Sequence, residues 1–419
     1  MFRRPAQRWW TDITGPARLV EGIVGEFDRS RHVAVCSDRP FNWPEQLRRT
    51  VTERLRDLDG NWMVEQLDAS WPFADGKENG TAIEDYLLNW YTVAEVRQAY
   101  DPLGTETKAQ YLARCGVFRE RCFWVRDPDD RELAAWLDFL RRCPPPKRQD
   151  GSVILELRPG QQRLLPASEN RPQQLAVLRQ ENYIDYFDAL LFNSAMCAEL
   201  ELGDGWKRYL AVAATELCQL DVRAALDLLE RMTTHGEDPL SALGCGEAAA
   251  RDPALKRRLW MAQLQVLFPL LEEERLRLIA AYEERIRGIL GVPYWVASRD
   301  ETWPLFRQYG QELTDPHEAE LGTLASMTAV HRADDHEERL LYLPRPDWQQ
   351  LLLLREMRNL LAHRQLCDHG QVRRFLDECP YFWANPDRPF IPAPETDELP
   401  EEADFAAGER ADGFLDDDY

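Results

Sequence analysis

The sequence predicts a parallel, doubly wound α/β domain followed by an all-α part. In the first part, short β-branched segments alternate with amphipathic ones, and turn-rich or proline-rich stretches separate them. This alternation is typical of parallel sheets, in which a crossover helix returns the chain to the same edge. After Asn182 strand signals fade, and apolar residues recur with a helical period.

Four strands and two helices are predicted in the first part. The strands are His32–Cys36, Trp62–Leu67, Cys122–Asp127 and Ser152–Leu157, and the helices are Glu45–Leu58 and Asp130–Cys143. In the second part, helices are predicted at Tyr183–Leu200, Trp206–Met232, Pro253–Leu290 and Asp347–Leu366.

The length of 419 residues indicates two or three domains and a tail, at roughly 150 residues per domain. We expect an α/β domain over residues 1–165, a helical middle region over 166–300, a helical domain over 301–385 and a tail over 386–419. From Glu395 onward the tail has eleven acidic residues and one basic residue, which predicts disorder. Its last residues, 414–419, are either solvating or a docking peptide.

The composition narrows the class of protein. A net charge of -22 argues against a broad, non-specific nucleic-acid binder, which usually carries a basic stripe. No secretory signal and no run long enough to span a bilayer is found, so we expect a cytoplasmic protein without a membrane contact. The nine cysteines are scattered without a C-x-x-C pair, which favours reduced thiols over disulfides or a metal site. No cofactor or metal is expected.

The turn after the first predicted strand lacks the residues of a phosphate-binding loop. Such a loop needs glycines to wrap the phosphate and a lysine to neutralise it. The stretch Ser37–Pro44 has no glycine and no lysine, and Asp38 would repel phosphate. ATP hydrolysis is therefore disfavoured.

Apart from the missing phosphate-binding loop, residues 10–160 resemble AAA-type and STAND-type ATPases in strand order and strand length. The resemblance implies a degenerate P-loop-type domain that does not hydrolyse nucleotide. Asp127, which ends the third strand, sits where such folds place a magnesium-binding acid. The segment Pro128–Asp130 that follows it equally predicts a helix N-cap.

The strongest motif lies in the last long helix. Arg358, Asn359 and His363 stand in the run Arg-Asn-Leu-Leu-Ala-His, in which four residues separate the arginine from the histidine. This run resembles the R-x4-6-H signature of HEPN domains, which are helical bundles, many of which cleave single-stranded RNA without metal. The resemblance implies that Arg358, His363 and Asn359 form the catalytic site.

The chemistry suits these residue types. Histidine exchanges protons near neutral pH, and the planar fork of arginine stabilises a phosphate transition state. Positions five apart on a helix point about 140° apart, so a working site would use a groove between two copies. A second match, Arg364 to His369, follows at once, and an arginine and a histidine on the solvated side of a core helix remain the alternative.

Two functions follow from the resemblance. The first is a HEPN component of a prokaryotic antiviral defence system, a toxin-like, metal-independent endoribonuclease acting on single-stranded RNA or tRNA. The second is a non-catalytic adaptor that binds partner proteins through its helical domain and acidic tail. The expected partners are RNA and either a partner protein or a second copy. His317, His331 and His336 lie in or beside the preceding segment and could approach the site, or they are solvated loop and helix-end residues. Glu318 and Glu320 could orient a catalytic group, although acids are also expected at a helix start.

Overall fold

A computed structural model shows two compact units. It describes residues 2–58, 61–73, 80–146, 151–166, 174–244, 251–290, 294–295, 302–303, 307–308, 311–333 and 336–378. The first unit comprises residues up to Phe268 together with Arg364–His369. The second begins at Pro269, runs to His363 and resumes at Gly370.

The elements up to the last strand of the large sheet are α1 (Pro5–Asp12), α2 (Thr14–Asp28), β1 (His32–Cys36), α3 (Pro44–Leu58), β2 (Met63–Asp68), α4 (Gly80–Tyr91), α5 (Ala94–Gln98), α6 (Lys108–Arg114), β3 (Arg121–Arg126), α7 (Asp130–Arg142), β4 (Val153–Glu156) and β5 (Leu175–Arg179). The helices that follow are α8 (Tyr186–Cys197), α9 (Asp204–Cys218), α10 (Val222–His235), α11 (Pro239–Ala242) and α12 (Pro253–Leu290).

Five parallel strands form one sheet in the order β2-β3-β4-β1-β5. The predicted doubly wound α/β fold is confirmed. All five residues of β1 are buried, as expected for a strand with neighbours on both sides and layers on both faces. The sheet includes β5, which the sequence did not indicate, so it continues past residue 165.

The two faces of the sheet have different partners. Alternate strand residues such as Ala34 and Leu155 share a buried apolar cluster with Trp136 and Leu140 of α7. On the opposite face, Glu156 pairs with Arg48 of α3, and α3 packs with α1 and α2. Helices therefore cover both faces, as the fold class requires.

One predicted helix, Trp206–Met232, is wrong in its extent, because the structure divides it into α9 and α10. Gln219 has a positive φ of 57° and a ψ of -125°, a non-helical conformation that ends α9. The carboxylate of Asp221 then accepts a hydrogen bond from the backbone N–H of Ala224 at 3.0 Å and caps α10. Apolar residues recur with a helical period on both sides of this break, so the sequence pattern did not reveal it.

In its described residues the second unit is mainly helical, as predicted, but it also contains three small antiparallel strand pairs. Its strands are β6 (Tyr294–Trp295), β7 (Thr302–Trp303), β8 (Arg307–Gln308), β9 (Gln311–Glu312), β10 (Val330–Ala333) and β11 (His336–Arg339). Its further helices are α13 (Leu321–Met327), α14 (Arg345–Ala362) and α15 (His369–Glu378). Strands this short leave almost no periodic pattern, which explains why they were not predicted.

A buried ion pair joins α3 to the sheet. The Nη1 atom of Arg48 donates to both carboxylate oxygens of Glu156, at 3.0 and 2.8 Å. The indole N–H of Trp124 donates to the same carboxylate at 2.7 Å. Because both charged side chains are less than a tenth exposed, each needs the other to offset its lost hydration.

Removing one member of this pair should be strongly destabilising. We expect Arg48→Met to lower the free energy of unfolding by about 3 to 5 kcal/mol, because Glu156 would remain charged and buried. Arg49→Met is the matched control, since Arg49 lies one residue on and makes an exposed pair with Glu53. Urea unfolding measures both variants, and equal losses would contradict the structural role of the buried pair.

His32 makes stability depend on pH. Burial lowers its pKa to about 4, and its Nδ1 accepts the backbone N–H of Val153 at 3.1 Å. The unfolded chain binds this proton near pH 6.5 and the folded chain only near 4, so stability is present above pH 6.5 and lost as pH falls towards 4.

We expect this group to remove about 2 kcal/mol of stability between pH 7.5 and 5. In His32→Asn, whose side-chain oxygen retains an acceptor for Val153, the pH dependence should weaken by that amount. His235→Asn is the control because His235 is exposed. Urea unfolding of the three proteins at both pH values tests this, and an unchanged dependence in His32→Asn would refute it.

Candidate functional site

The carboxyl edge of the sheet carries the turn that follows β1. In doubly wound sheets ligands bind beyond the carboxyl ends of the strands, where neighbouring strands connect to opposite faces. Here α3 leaves the carboxyl end of β1 towards one face and α7 leaves the carboxyl end of β3 towards the other, with β4 between these two strands. The turn after β1 therefore lies at the position where a nucleotide phosphate would bind in a P-loop fold.

A carboxylate of the chain itself occupies the donors of that turn. One oxygen of Glu181 accepts the Ser37 hydroxyl at 2.9 Å and the Asp38 backbone N–H at 2.6 Å. At the far end of the turn, the indole N–H of Trp10 donates to the Asn42 carbonyl at 2.9 Å. The Ser37 hydroxyl and the Asp38 N–H are thus already used within the chain, which leaves these two donors unavailable to a phosphate.

The sequence left open whether Asp127 binds magnesium or the segment after it caps a helix. Asp129 caps α7, since its side chain accepts the Glu132 backbone N–H at 2.8 Å and Glu132 bonds back to the Asp129 N–H at 2.7 Å. Asp127 itself is exposed, and its carbonyl accepts a hydrogen bond from Arg158. Among the described residues no group of three His, Cys, Asp or Glu could hold a metal ion.

The predicted motif lies at the C-terminal end of α14. Leu354, Met357 and Leu361 form the buried face of this helix, whereas Arg358 and Asn359 are partly exposed. Arg358 donates through Nη2 to the Glu320 carboxylate at 2.9 Å and through Nη1 to the Asn359 side-chain oxygen at 3.3 Å. Its side chain is still 36% exposed, so the guanidinium is oriented and yet accessible to solvent.

His363 follows Ala362 as the C-cap of α14. Its backbone N–H bonds to the Asn359 carbonyl at 3.0 Å, and its side chain is exposed. His363 lies five positions after Arg358, which corresponds to a rotation of about 140° around a helix. The structure therefore brings Arg358, Asn359 and Glu320 together, whereas His363 projects from another side of the same helix end.

The remaining candidate residues of the sequence analysis lie at different places in the fold. Of the two acids considered, Glu320 contacts Arg358, and Glu318 is exposed in the preceding turn together with His317. His331 and His336 lie in the β10–β11 hairpin, where only the backbone is described. The second match, from Arg364 to His369, does not share one helix, because α14 ends before it and α15 begins at His369.

Sequence reasoning missed Arg275 of α12. Its Nη1 donates to the carbonyl oxygens of His317 at 2.9 Å and Ala319 at 2.7 Å. Arg275 thereby anchors the segment that ends at Glu320. More than forty residues separate it from its acceptors, and no local pattern marks an arginine that binds distant carbonyls.

No protein-family model matches this chain, and no curated protein shows significant similarity to it. No helix in the described part of the chain is both long enough and apolar enough to cross a membrane.

Glu181 should be a structural residue of the turn after β1. We expect Glu181→Ala to lower the free energy of unfolding by about 1 to 2 kcal/mol, because the donors of Ser37 and Asp38 lose a charged acceptor. Glu53→Ala, which removes an exposed surface carboxylate, is the control. Urea denaturation compares the two, and a loss in Glu181→Ala no larger than in the control would argue against the turn closure.

Proposed function

We propose that the second unit is a HEPN-type module that cleaves single-stranded RNA, with tRNA included among its substrates, in a prokaryotic antiviral defence system. The observation that carries this proposal is the way in which Arg358 is held by its neighbours and exposed to solvent. Its guanidinium is oriented by Glu320 and Asn359, remains about one-third exposed and lies at the same helix end as the exposed His363. An oriented, accessible cation is what a phosphate transition state needs.

The proposed reaction needs no metal. The 2′-hydroxyl of one nucleotide attacks the adjacent phosphorus, a 2′-oxygen–phosphorus bond forms, and the bond to the 5′-oxygen breaks. His363 accepts the 2′-hydroxyl proton, and a second imidazole, from another copy of the chain, protonates the leaving 5′-oxygen. Arg358 stabilises the charge on the phosphorane, and Asn359 helps to hold the guanidinium.

The first unit is proposed to be a degenerate relative of AAA-type and STAND-type ATPases that does not hydrolyse nucleotide. The all-parallel sheet with β1 between β4 and β5 supports that resemblance. Glu181 supports the loss of hydrolysis, since its carboxylate uses the donors of the turn after β1. An internal carboxylate at that turn would repel a phosphate ligand.

A specific observation also favours the adaptor alternative. Trp90, Val93 and Leu103 are large apolar residues of the first unit that are 74%, 62% and 94% exposed, so they add a candidate contact to the helical domain and acidic tail of that alternative. In this alternative Arg358 and Glu320 form a surface ion pair that takes no part in catalysis. The acidic tail proposed as a docking element lies outside the described residues.

Cleavage assays distinguish the two functions. In a mixed pool of single-stranded RNA and tRNA with EDTA present, we expect the wild-type chain to cleave, and Arg358→Ala and His363→Ala each to lose at least about a hundredfold in rate. Arg373→Ala is the matched control, because Arg373 is a surface arginine of α15 paired with Asp377. Circular dichroism checks that all four proteins are folded.

Equal cleavage by wild type and both motif variants would assign the activity to another site or to a contaminant. If no version cleaves RNA although all are folded, the nuclease is refuted under these conditions and the adaptor becomes the better account.

A further inference from the structure

We infer that Arg275 is a positioning residue for Arg358, acting through the turn at residues 316–319 and the carboxylate of Glu320. The inference rests on the proposed function, because it names a device that aligns the same guanidinium. All of its contacts lie within the second unit.

The first link is the way in which Arg275 itself is held. Its side chain is only 12% exposed, and Nε donates to the Glu272 carboxylate at 2.8 Å, one turn back on α12. Glu272 also bonds to Nη2, so two sides of the guanidinium are fixed to the helix. Nη1 is thereby directed away from α12, towards the carbonyls of His317 and Ala319.

The second link is the turn that carries Glu320. Asp315 caps this turn by accepting the His317 backbone N–H at 3.0 Å, and Pro316 and Ala319 are buried. The Ala319 carbonyl belongs to the peptide group that joins Ala319 to Glu320. Since Arg275 holds this carbonyl at 2.7 Å, it restricts the backbone from which the Glu320 side chain projects.

The third link is the ion pair of Glu320 with Arg358, at 2.9 Å. Both side chains are more than a third exposed, so solvent competes with the pair and its strength depends on how well Glu320 is placed. At the other end of α14, the hydroxyl of Tyr282 from α12 bonds to buried Asp347. Two residues of α12, Tyr282 at its kink and Arg275 before it, thus contact the start of α14 and the turn that carries Glu320.

We expect the loss of Arg275 to misalign the Arg358 guanidinium without removing its charge. Without Arg275, Arg358 and His363 would still be present, and RNA would still meet the same cation. The guanidinium would, however, sample more orientations, and a misplacement of about 1 Å is enough to cost up to a hundredfold in rate. The loss should therefore fall on kcat, with KM for RNA little changed.

The test compares Arg275→Gln with Arg287→Gln in the whole chain. Arg287 lies on the same helix but makes an exposed pair with Glu283, so the same substitution there leaves the turn intact. We expect Arg275→Gln to lower kcat by roughly ten- to a hundredfold. Glu320→Ala should cause a similar loss, the double variant should lose no more than either alone, and Glu320→Gln, which retains an acceptor oxygen, should lose less.

A second readout does not depend on activity. In protein labelled with ¹⁵N-arginine, the Nε–Hε signal of Arg358 is identified by its disappearance in Arg358→Lys. We expect this signal to shift and exchange faster with water in Arg275→Gln, and to be unchanged in Arg287→Gln. Thermal unfolding of each variant checks that the change is local.

The two proposals fail in different ways. If the wild type cleaves RNA but Arg275→Gln matches Arg287→Gln in kcat and in the Arg358 signal, the positioning role is overturned and the nuclease stands. If the wild type does not cleave RNA, the nuclease is overturned, and the Arg358 signal alone decides whether Arg275 positions that guanidinium.

Discussion

The buried pairing of Arg48 with Glu156 is the constraint on which the first unit depends. A carboxylate at the carboxyl end of a central strand is costly to bury unless a cation is placed beside it. That cation comes from α3, so the helix after β1 must pack with one particular side towards the sheet. Trp124 adds a third contact to the same carboxylate, which ties β3 to the arrangement.

Once α3 is fixed, the turn between β1 and α3 has little freedom, and its polar groups need partners. Glu181, just after β5, supplies the acceptor for Ser37 and Asp38. The Glu181 carboxylate thus lies at the carboxyl edge of the sheet, where doubly wound folds bind their ligands. Pairing within the chain thus offsets the burial of Arg48 and Glu156, and at the exposed Asp38 N–H it uses a donor that a phosphate would otherwise bind.

The second unit uses the same pair of residue types with a different result. The side chains of Arg48 and Glu156 are 5% and 8% exposed, whereas those of Arg358 and Glu320 are 36% and 38% exposed. The first pair is sealed, so its charges have no access to a ligand. The second is oriented but open to water, which leaves the guanidinium able to meet a phosphate. Exposure, more than residue identity, separates the structural pair from the candidate catalytic one.

Local sequence patterns were sufficient to predict many of the elements. The bounds of β1 agree with the prediction, and those of α3 and α7 differ from it by one residue. The bounds of α12 also agree, but the helix is kinked at Tyr282, which the prediction did not include. The cap at Asp129 follows from its position before an amphipathic run. These features depend on residues within a few positions of one another, where hydrophobic period and capping chemistry act directly. The motif of Arg358, Asn359 and His363 is equally local and was found for that reason.

Tertiary structure alone decided the partners of these elements. The contact of Arg275 with Ala319 joins residues 44 positions apart, that of Glu320 with Arg358 spans 38, and that of Asp38 with Glu181 spans 143. An arginine or a glutamate in a sequence carries no mark of which distant group will satisfy it. That choice is made when the helices and the sheet pack and each buried or half-buried charge must find a partner, which is a property of the whole fold.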